Sequence, residues 1–166
     1  RITVLPVDRR GRIRVQDIED RIQDNTTVIS VMYANNEIGT IQPIDAIGAV
    51  AEKHGILFHT DAVQACGQLP INVKKSGITM LSASAHKFHG PKGVGFLYVK
   101  KGVSIHNFIE GGGQERGLRA GTENVPGIVG MGKALELAGQ TMEERAKKET
   151  VLRDYMLRRL LTEIPY

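Results

Sequence analysis

A hydroxyl, an imidazole and an amine lie close together near the middle of the chain. Ser84, His86 and Lys87 follow an apolar stretch, and a glycine-rich segment, residues 90–95, comes directly after them. A lysine that leaves a strand end into a partly desolvated cleft has its ammonium form disfavoured, which favours the nucleophilic amine that forms Schiff bases. A neighbouring hydroxyl can donate a hydrogen bond to a phosphate or a carboxylate. The pattern therefore predicts covalent chemistry at Lys87, with a solvated loop lysine as the alternative.

Two further apolar runs end in polar side chains that could contact a ligand. Asp61 follows the apolar run at residues 56–58, and Asn36 follows the run at residues 27–33. Ligands of open α/β sheets bind beyond the carboxyl ends of the strands. An aspartate in that position can hold a protonated pyridine nitrogen. We therefore expect Asn36, Asp61 and Lys87 to face the same ligand from three strand ends.

The elements that would position these residues alternate between strands and helices. The patterns predict strands at 2–7, 27–33, 56–59, 78–82 and 94–99, and helices at 15–22, 43–54 and from about 126 to 161. Strand 27–33 is almost unbroken in apolar residues, which is typical of a strand covered on both faces. Alternating strands and helices favour a parallel sheet with right-handed crossovers. The turn that carries Lys87 is too short for a crossover helix, so the last two strands are expected to be antiparallel.

The long helix carries alternating charges at residues 143–149, which predict a solvated face. The chain also opens inside a strand-like pattern at Arg1 and stops at a helix exit. We interpret it from the sequence as an excised piece of a longer protein.

Four blocks of sequence carry a resemblance to a known family. In chain order they are Asn35–Gly39, His59–Gln64, Ser84–Gly93 and Gly111–Thr122, and they are distributed over residues 35–122. The set resembles the pyridoxal-phosphate-dependent cysteine desulfurases of the class-V aminotransferase family. The resemblance implies the α/β large domain of fold type I, which is similar to that of aspartate aminotransferase: a mostly parallel sheet with helices on both faces, incomplete here. Residues 1–125 would be part of this domain, and residues 126–166 a long helix towards a small C-terminal domain.

The resemblance also implies roles for residues around the cofactor ring. Lys87 would form the internal aldimine with pyridoxal 5'-phosphate, and Asp61 would pair with its pyridine nitrogen. Gln64 and Asn36 resemble the amides that contact the phenolic oxygen, and Asn36 also touches the substrate carboxylate in this interpretation. The alternatives are that Asp61 caps a helix starting at Ala62 and that the two amides are ordinary turn residues. One aspartate could serve both purposes.

A second group of residues resembles the family's phosphate contacts. Ser84 and His86 would bind the phosphate of the same subunit. Thr122 resembles the residue that reaches the phosphate of the partner subunit, which implies a homodimer. The glycines at 111–113 offer backbone N–H groups for an anion, or else form a hinge.

The activity implied by the resemblance is the conversion of L-cysteine to L-alanine. The sulfur would pass as an enzyme persulfide to an acceptor scaffold protein for iron–sulfur cluster assembly or thiolation. Cys66 is predicted to be a small core residue rather than the nucleophile, because the family's catalytic cysteine lies on a mobile loop well beyond the lysine. The piece is thus expected to be inactive alone. A selenocysteine lyase and a non-catalytic scaffold are the alternatives.

Composition excludes several other classes of protein. No segment approaches the roughly 20 apolar residues that span a bilayer, and no signal peptide is visible, so we expect a cytoplasmic location. A net charge of +4 without a clustered basic motif argues against nucleic-acid binding. One cysteine excludes an internal disulfide.

A zinc site is the rival chemical interpretation, and we expect no metal. Several potential ligands occur in the chain: His54, His59, Asp61, Cys66, His86 and His89. Without a paired Cys-x-x-Cys or a His-Glu-x-x-His motif, the signal for a metal is weak.

Overall fold

A four-stranded sheet carries the polar strand ends. The computed structural model describes residues 1–165. The helices and strands are α1 (Val15–Glu19), β1 (Val28–Met32), α2 (Ile44–Lys53), β2 (Leu57–Asp61), β3 (Met80–Ser84), β4 (Gly95–Val99) and α3 (Val125–Glu163). The strand order is β1-β2-β3-β4; the first three strands are parallel, and β4 is antiparallel to β3. The predicted α/β class with a mostly parallel sheet and the antiparallel last pair are both confirmed.

Two of the predicted elements differ from the structure. Residues 2–7 form no strand, and the side chain of Ile2 is 90% exposed. An apolar pattern does not make a strand without a hydrogen-bonded neighbour, and no ladder in the described part of the chain includes this segment. Helix α1 ends at Glu19, although the pattern suggested Ile22. The remaining bounds agree to within two residues.

The core lies on one face of the sheet. Side chains alternate along β2, so Phe58 and Thr60 are fully buried while Leu57, His59 and Asp61 are half-buried. Helix α2 contributes its apolar residues to the core on this buried face. Strand β1 alternates in the same way. The sequence predicted that both faces of this strand are covered, but within residues 1–165 only one face is buried.

The opposite face of the sheet carries a row of polar side chains. The imidazole of His59 lies between two hydroxyls: its Nδ1 is 2.8 Å from Ser30 Oγ and its Nε2 is 3.3 Å from Ser82 Oγ. Ser30 belongs to β1, His59 to β2 and Ser82 to β3. The row therefore ties neighbouring strands together just below the strand ends.

The predicted long helix is confirmed as α3, which has 39 residues. Asn124 caps it, because its Oδ1 accepts a hydrogen bond from the N–H of Gly127 at 3.1 Å. Met131, Leu135 and Ala138 pack against the core, whereas the apolar residues beyond residue 150 are exposed. Tyr166, the last residue of the predicted segment 126–166, lies outside the described residues. No described helix is both long and apolar enough to span a bilayer.

Replacing two threonines by valine should change the free energy of unfolding in opposite directions. The hydroxyl of Thr60 is buried and has no hydrogen-bond partner within residues 1–165, whereas that of Thr79 accepts from Phe58 N at 2.6 Å and donates to Phe58 O at 2.8 Å. An unpaired buried hydroxyl costs free energy and a paired one contributes it. We expect Thr60→Val to raise the free energy of unfolding by about 1 kcal/mol and Thr79→Val to lower it by a similar amount. Urea unfolding followed by circular dichroism measures both, and a loss of stability in Thr60→Val would contradict the assignment.

Candidate active site

The parallel strands bring their carboxyl ends to one edge of the sheet. Met32 is the register partner of Asp61, and Asp61 is the partner of Ser82. The ladder continues past the strand ends, because Tyr33 N donates to Asp61 O at 2.7 Å and Ala62 N donates to Ser82 O at 2.9 Å. The ends of β1, β2 and β3 are thus neighbours, as the sequence predicted for the residues that follow them.

Asp61 is the last residue of β2 and is half-buried. One carboxylate oxygen, Oδ1, accepts a hydrogen bond from Val63 N at 2.9 Å. No other hydrogen bond to this carboxylate occurs within residues 1–165. The aspartate therefore caps the turn that follows it, although the helix starting at Ala62 in the alternative interpretation is not formed, and Asp61 still offers Oδ2 to a ligand.

The turn after Asp61 carries Gln64. Residues 62–69 form successive hydrogen-bonded turns rather than a regular helix: Cys66 N donates to Ala62 O and Leu69 N donates to Ala65 O, each at 2.8 Å. Gln64 is half-buried in this segment. We refer to residues 62–69 as the aspartate turn.

Lys87 lies in a short turn, Ala85–Phe88, that begins where β3 ends. We refer to residues 85–88 as the lysine turn. Ala85 and Phe88 are fully buried, and Gly90 N donates to Ala85 O at 2.8 Å. With about three residues per turn, burial of the first and fourth residues directs the two between them outwards. Lys87 is accordingly exposed, so the desolvated cleft predicted around it is not formed by the described residues.

Ser84 and His86 lie together at the same end of β3. Ser84 Oγ is 2.8 Å from His86 Nδ1. This contact leaves Nε2 of His86 available, and the imidazole is exposed. A hydroxyl beside an imidazole suits an anion such as a phosphate, because in either tautomer of His86 the pair keeps one donor for it, Nε2–H or the serine O–H.

Asn36 and Thr122 are both exposed. Asn36 follows β1 in a loop shaped by its neighbour, since Asn35 Oδ1 accepts hydrogen bonds from Glu37 N at 2.8 Å and Ile38 N at 3.0 Å. Thr122 lies before α3, and no hydrogen bond within residues 1–165 joins its side chain to the strand ends. The structure thus brings Asp61, the aspartate turn and the lysine turn to one end of the sheet, and no hydrogen bond within residues 1–165 joins the side chain of Asn36 or Thr122 to them.

Cys66 is a core residue. Its side chain is 7% exposed, and burial raises the pKa of its thiol above the usual range. A protonated, enclosed thiol is a poor nucleophile, which agrees with the prediction that Cys66 is not catalytic. No group of three or more metal-ligating side chains within residues 1–165 could hold a metal ion.

One residue in contact with the site region escaped the sequence analysis. Arg145 was interpreted as part of the solvated charged face of α3, yet its guanidinium donates to the carbonyl oxygen of Gly67 in the aspartate turn at 2.6 Å. Alternating charge along a helix cannot distinguish a solvated arginine from one that reaches another segment. Only the fact that Arg145 lies two helical turns beyond the core residue Ala138 hints at the contact.

The family model described as aminotransferase class-V matches residues 1–165 of the chain. The chain belongs to the class-V aminotransferase family. Enzymes of this family depend on pyridoxal phosphate.

Two curated members that the chain resembles are cysteine desulfurases named IscS. The one from Clostridium botulinum (strain Hall) is 56% identical over 165 residues, which are 99% of this chain and 42% of that protein. The one from Methanosarcina thermophila is 55% identical over 160 residues, which are 96% of this chain and 40% of that protein.

Solved structures of class-V aminotransferase relatives share the fold. A structure titled NifS-like protein superposes with a TM-score of 0.92 at 46% identity and covers 96% of this chain and 44% of its own. A second, titled SspA in complex with cysteine, superposes with a TM-score of 0.79 at 46% identity and covers 89% of this chain and 45% of its own. This class-V aminotransferase chain therefore spans less than half the length of the relatives that it matches.

Proposed function

We propose that the protein to which this chain corresponds is a pyridoxal-phosphate-dependent cysteine desulfurase. The observation that carries the proposal is the half-buried Asp61 carboxylate, which has a free oxygen at the end of β2, the strand paired with β3, and β3 leads into the lysine turn. The cysteine desulfurases among the relatives and the cysteine-bound SspA structure support the same substrate, L-cysteine. The cytoplasmic location expected from the sequence belongs to the same proposal.

The donor set fits pyridoxal phosphate. A pyridinium nitrogen needs a carboxylate, and Oδ2 of Asp61 is free to accept a hydrogen bond from its N–H. A phosphate needs donors, which Ser84 and His86 supply at the end of β3. The aldehyde needs a primary amine, and Lys87 is exposed one residue beyond His86. In this proposal Gln64 and Asn36 donate to the phenolic oxygen.

When bound, pyridoxal phosphate supplies an electron sink for the electron pair released at the substrate's α-carbon. Asp61 keeps the proton on the ring nitrogen, which makes that sink effective. Lys87 would hold the cofactor through its amine, and the same Nζ would accept the α-proton of the substrate. Asn36 orients the substrate carboxylate. Since Cys66 is enclosed, the thiol that takes the sulfur is not among the described residues.

The proposal includes two partners. A second copy of the chain would receive Thr122 near its phosphate, and the exposed side chain of Thr122 agrees with such a contact. A sulfur-acceptor scaffold protein would take the persulfide sulfur for cluster assembly or thiolation.

Cofactor titration tests the role of Asp61. We expect pyridoxal phosphate to give an absorbance band near the visible edge with the wild-type chain. Asp61→Ala should weaken binding by about 10- to 100-fold, because a charge-assisted hydrogen bond is lost. Asp24→Ala removes an exposed carboxylate elsewhere and is the matched control, for which we expect no change. Equal affinity of wild type and Asp61→Ala would contradict the assignment.

A further inference from the structure

The aspartate turn is held from outside by a side chain of α3. Arg145 Nη2 donates to Gly67 O at 2.6 Å, and Nη1 donates to Gln68 Oε1 at 3.3 Å. The same guanidinium also donates to Ala138 O and to Thr141 Oγ1 within its own helix, both at 3.2 Å. Four acceptors therefore fix the group in one orientation, and two of them belong to the aspartate turn.

The carbonyl of Gly67 depends on this contact. Gly67 is buried, and no backbone N–H within residues 1–165 donates to its oxygen. A buried carbonyl without a partner costs free energy, so Arg145 supplies a hydrogen bond that the turn does not make for itself. No ion pair of the described residues includes Arg145, and the arginine is therefore committed to these neutral acceptors.

Gly67, in the aspartate turn, also lies close to both the lysine turn and α3. Its φ is +77°, and a Cβ atom built on it would lie 2.7 Å from Phe88 Cβ and 3.2 Å from Ala138 Cβ. Phe88 is the residue after Lys87 and is fully buried. Movement of the aspartate turn away from α3 would therefore also open its contact with the lysine turn.

We propose that Arg145 is a positioning residue for the cofactor site. It holds the aspartate turn against the lysine turn and so fixes Gln64 relative to Lys87. The statement about Gln64 rests on the proposed function, whereas the statement about the two turns stands on the contacts alone. The role belongs to α3, a helix that carries none of the proposed cofactor ligands.

Hydrogen exchange of the cofactor-free chain tests the clamp directly. In Arg145→Met we expect the amides of Ala65, Cys66, Gln68 and Leu69, which are hydrogen-bonded inside the turn, to exchange about tenfold faster. The amides of the β2–β3 ladder should keep their rates. Lys148→Met, an exposed lysine of the same helix, is the matched control and should change neither set. Arg145→Lys retains one donor and should restore part of the protection.

Two results would overturn the proposal. One is unchanged exchange of the aspartate turn in Arg145→Met. The other is a uniform acceleration over the turn and the β2–β3 ladder, because that would make Arg145 a general stabilising residue and not a local clamp.

The cofactor spectrum separates this proposal from the proposed function. We expect Arg145→Met to shift the absorbance band of bound pyridoxal phosphate in the same direction as Gln64→Leu, and the double variant to shift it no further than Gln64→Leu alone. Fully additive shifts would contradict the link to Gln64. If the turn loosens as expected but Asp61→Ala and wild type bind pyridoxal phosphate equally well, the clamp stands and the proposed function fails. If the cofactor binds and the turn does not loosen, the function stands and the clamp fails.

Discussion

Lys87→Ala will abolish covalent attachment of pyridoxal phosphate to the chain. Only a primary amine forms the covalent bond with the cofactor aldehyde, and Lys87 is the amine that the lysine turn presents beside Ser84 and His86. The measurement is borohydride reduction of the mixture followed by mass spectrometry of the intact chain. Wild type should carry one cofactor, and Lys87→Ala should carry none.

Lys92→Ala is the matched control for this experiment. Lys92 is an exposed lysine in the segment that follows the same turn, so it has similar access to solvent and reagent. We expect Lys92→Ala to be labelled as fully as wild type. Labelling that persists in Lys87→Ala and disappears in Lys92→Ala would show that the cofactor binds the amine of Lys92, which contradicts the assignment of Lys87.

Gly48→Ala will cause the largest loss of stability among the substitutions considered. Gly48 lies inside α2 and is buried, and a Cβ atom at this position would overlap the carbonyl oxygen of Ser76 and lie 2.8 Å from its carbonyl carbon. Both atoms belong to the backbone, so no side-chain rotation relieves the clash. The helix or the segment at Ser76 must shift, at a cost of about 3 kcal/mol. Urea unfolding measures this cost.

The same substitution at Gly132 should have the opposite sign. Gly132 lies in α3, and no atom outside the local helix backbone comes within 4 Å of a Cβ built there. Alanine in an open helical position gains about 0.5–1 kcal/mol over glycine. If Gly132→Ala lowers the stability and Gly48→Ala leaves it unchanged, then both explanations are wrong: the backbone clash at Gly48 and the open helical position at Gly132.

The sequence was sufficient to predict the strands that carry the site. An apolar run that ends in a polar residue predicted the ends of β1, β2 and β3, because ladder geometry places the carboxyl ends of parallel strands side by side. The short connection around Lys87 also predicted the antiparallel pairing of β4. The chemistry of Asp61 and Lys87 was suggested by their positions, the role of Gln64 came from the resemblance alone, and all three roles stay predictions until a cofactor is bound.

Contacts between distant segments could not be predicted in this way. The link between Arg145 and Gly67 joins residues far apart in the chain, and the charged stretch around Arg145 has the same composition as a solvated face. The exposure of Lys87 depends on which residues of the lysine turn are buried, and that is decided by packing around Phe88. Residues 2–7 have the composition of a strand but no partner in the ladder. Each of these three misses concerns a tertiary contact, about which local periodicity carries no information.

A crystal structure of the chain with pyridoxal phosphate tests the central claim most directly. The account predicts one ring at the carboxyl end of the sheet, with its nitrogen about 3 Å from Asp61 Oδ2 and its aldehyde carbon bonded to Lys87 Nζ. A ring bound elsewhere, or a ring whose nitrogen faces away from Asp61 while Lys87 stays free, would contradict it.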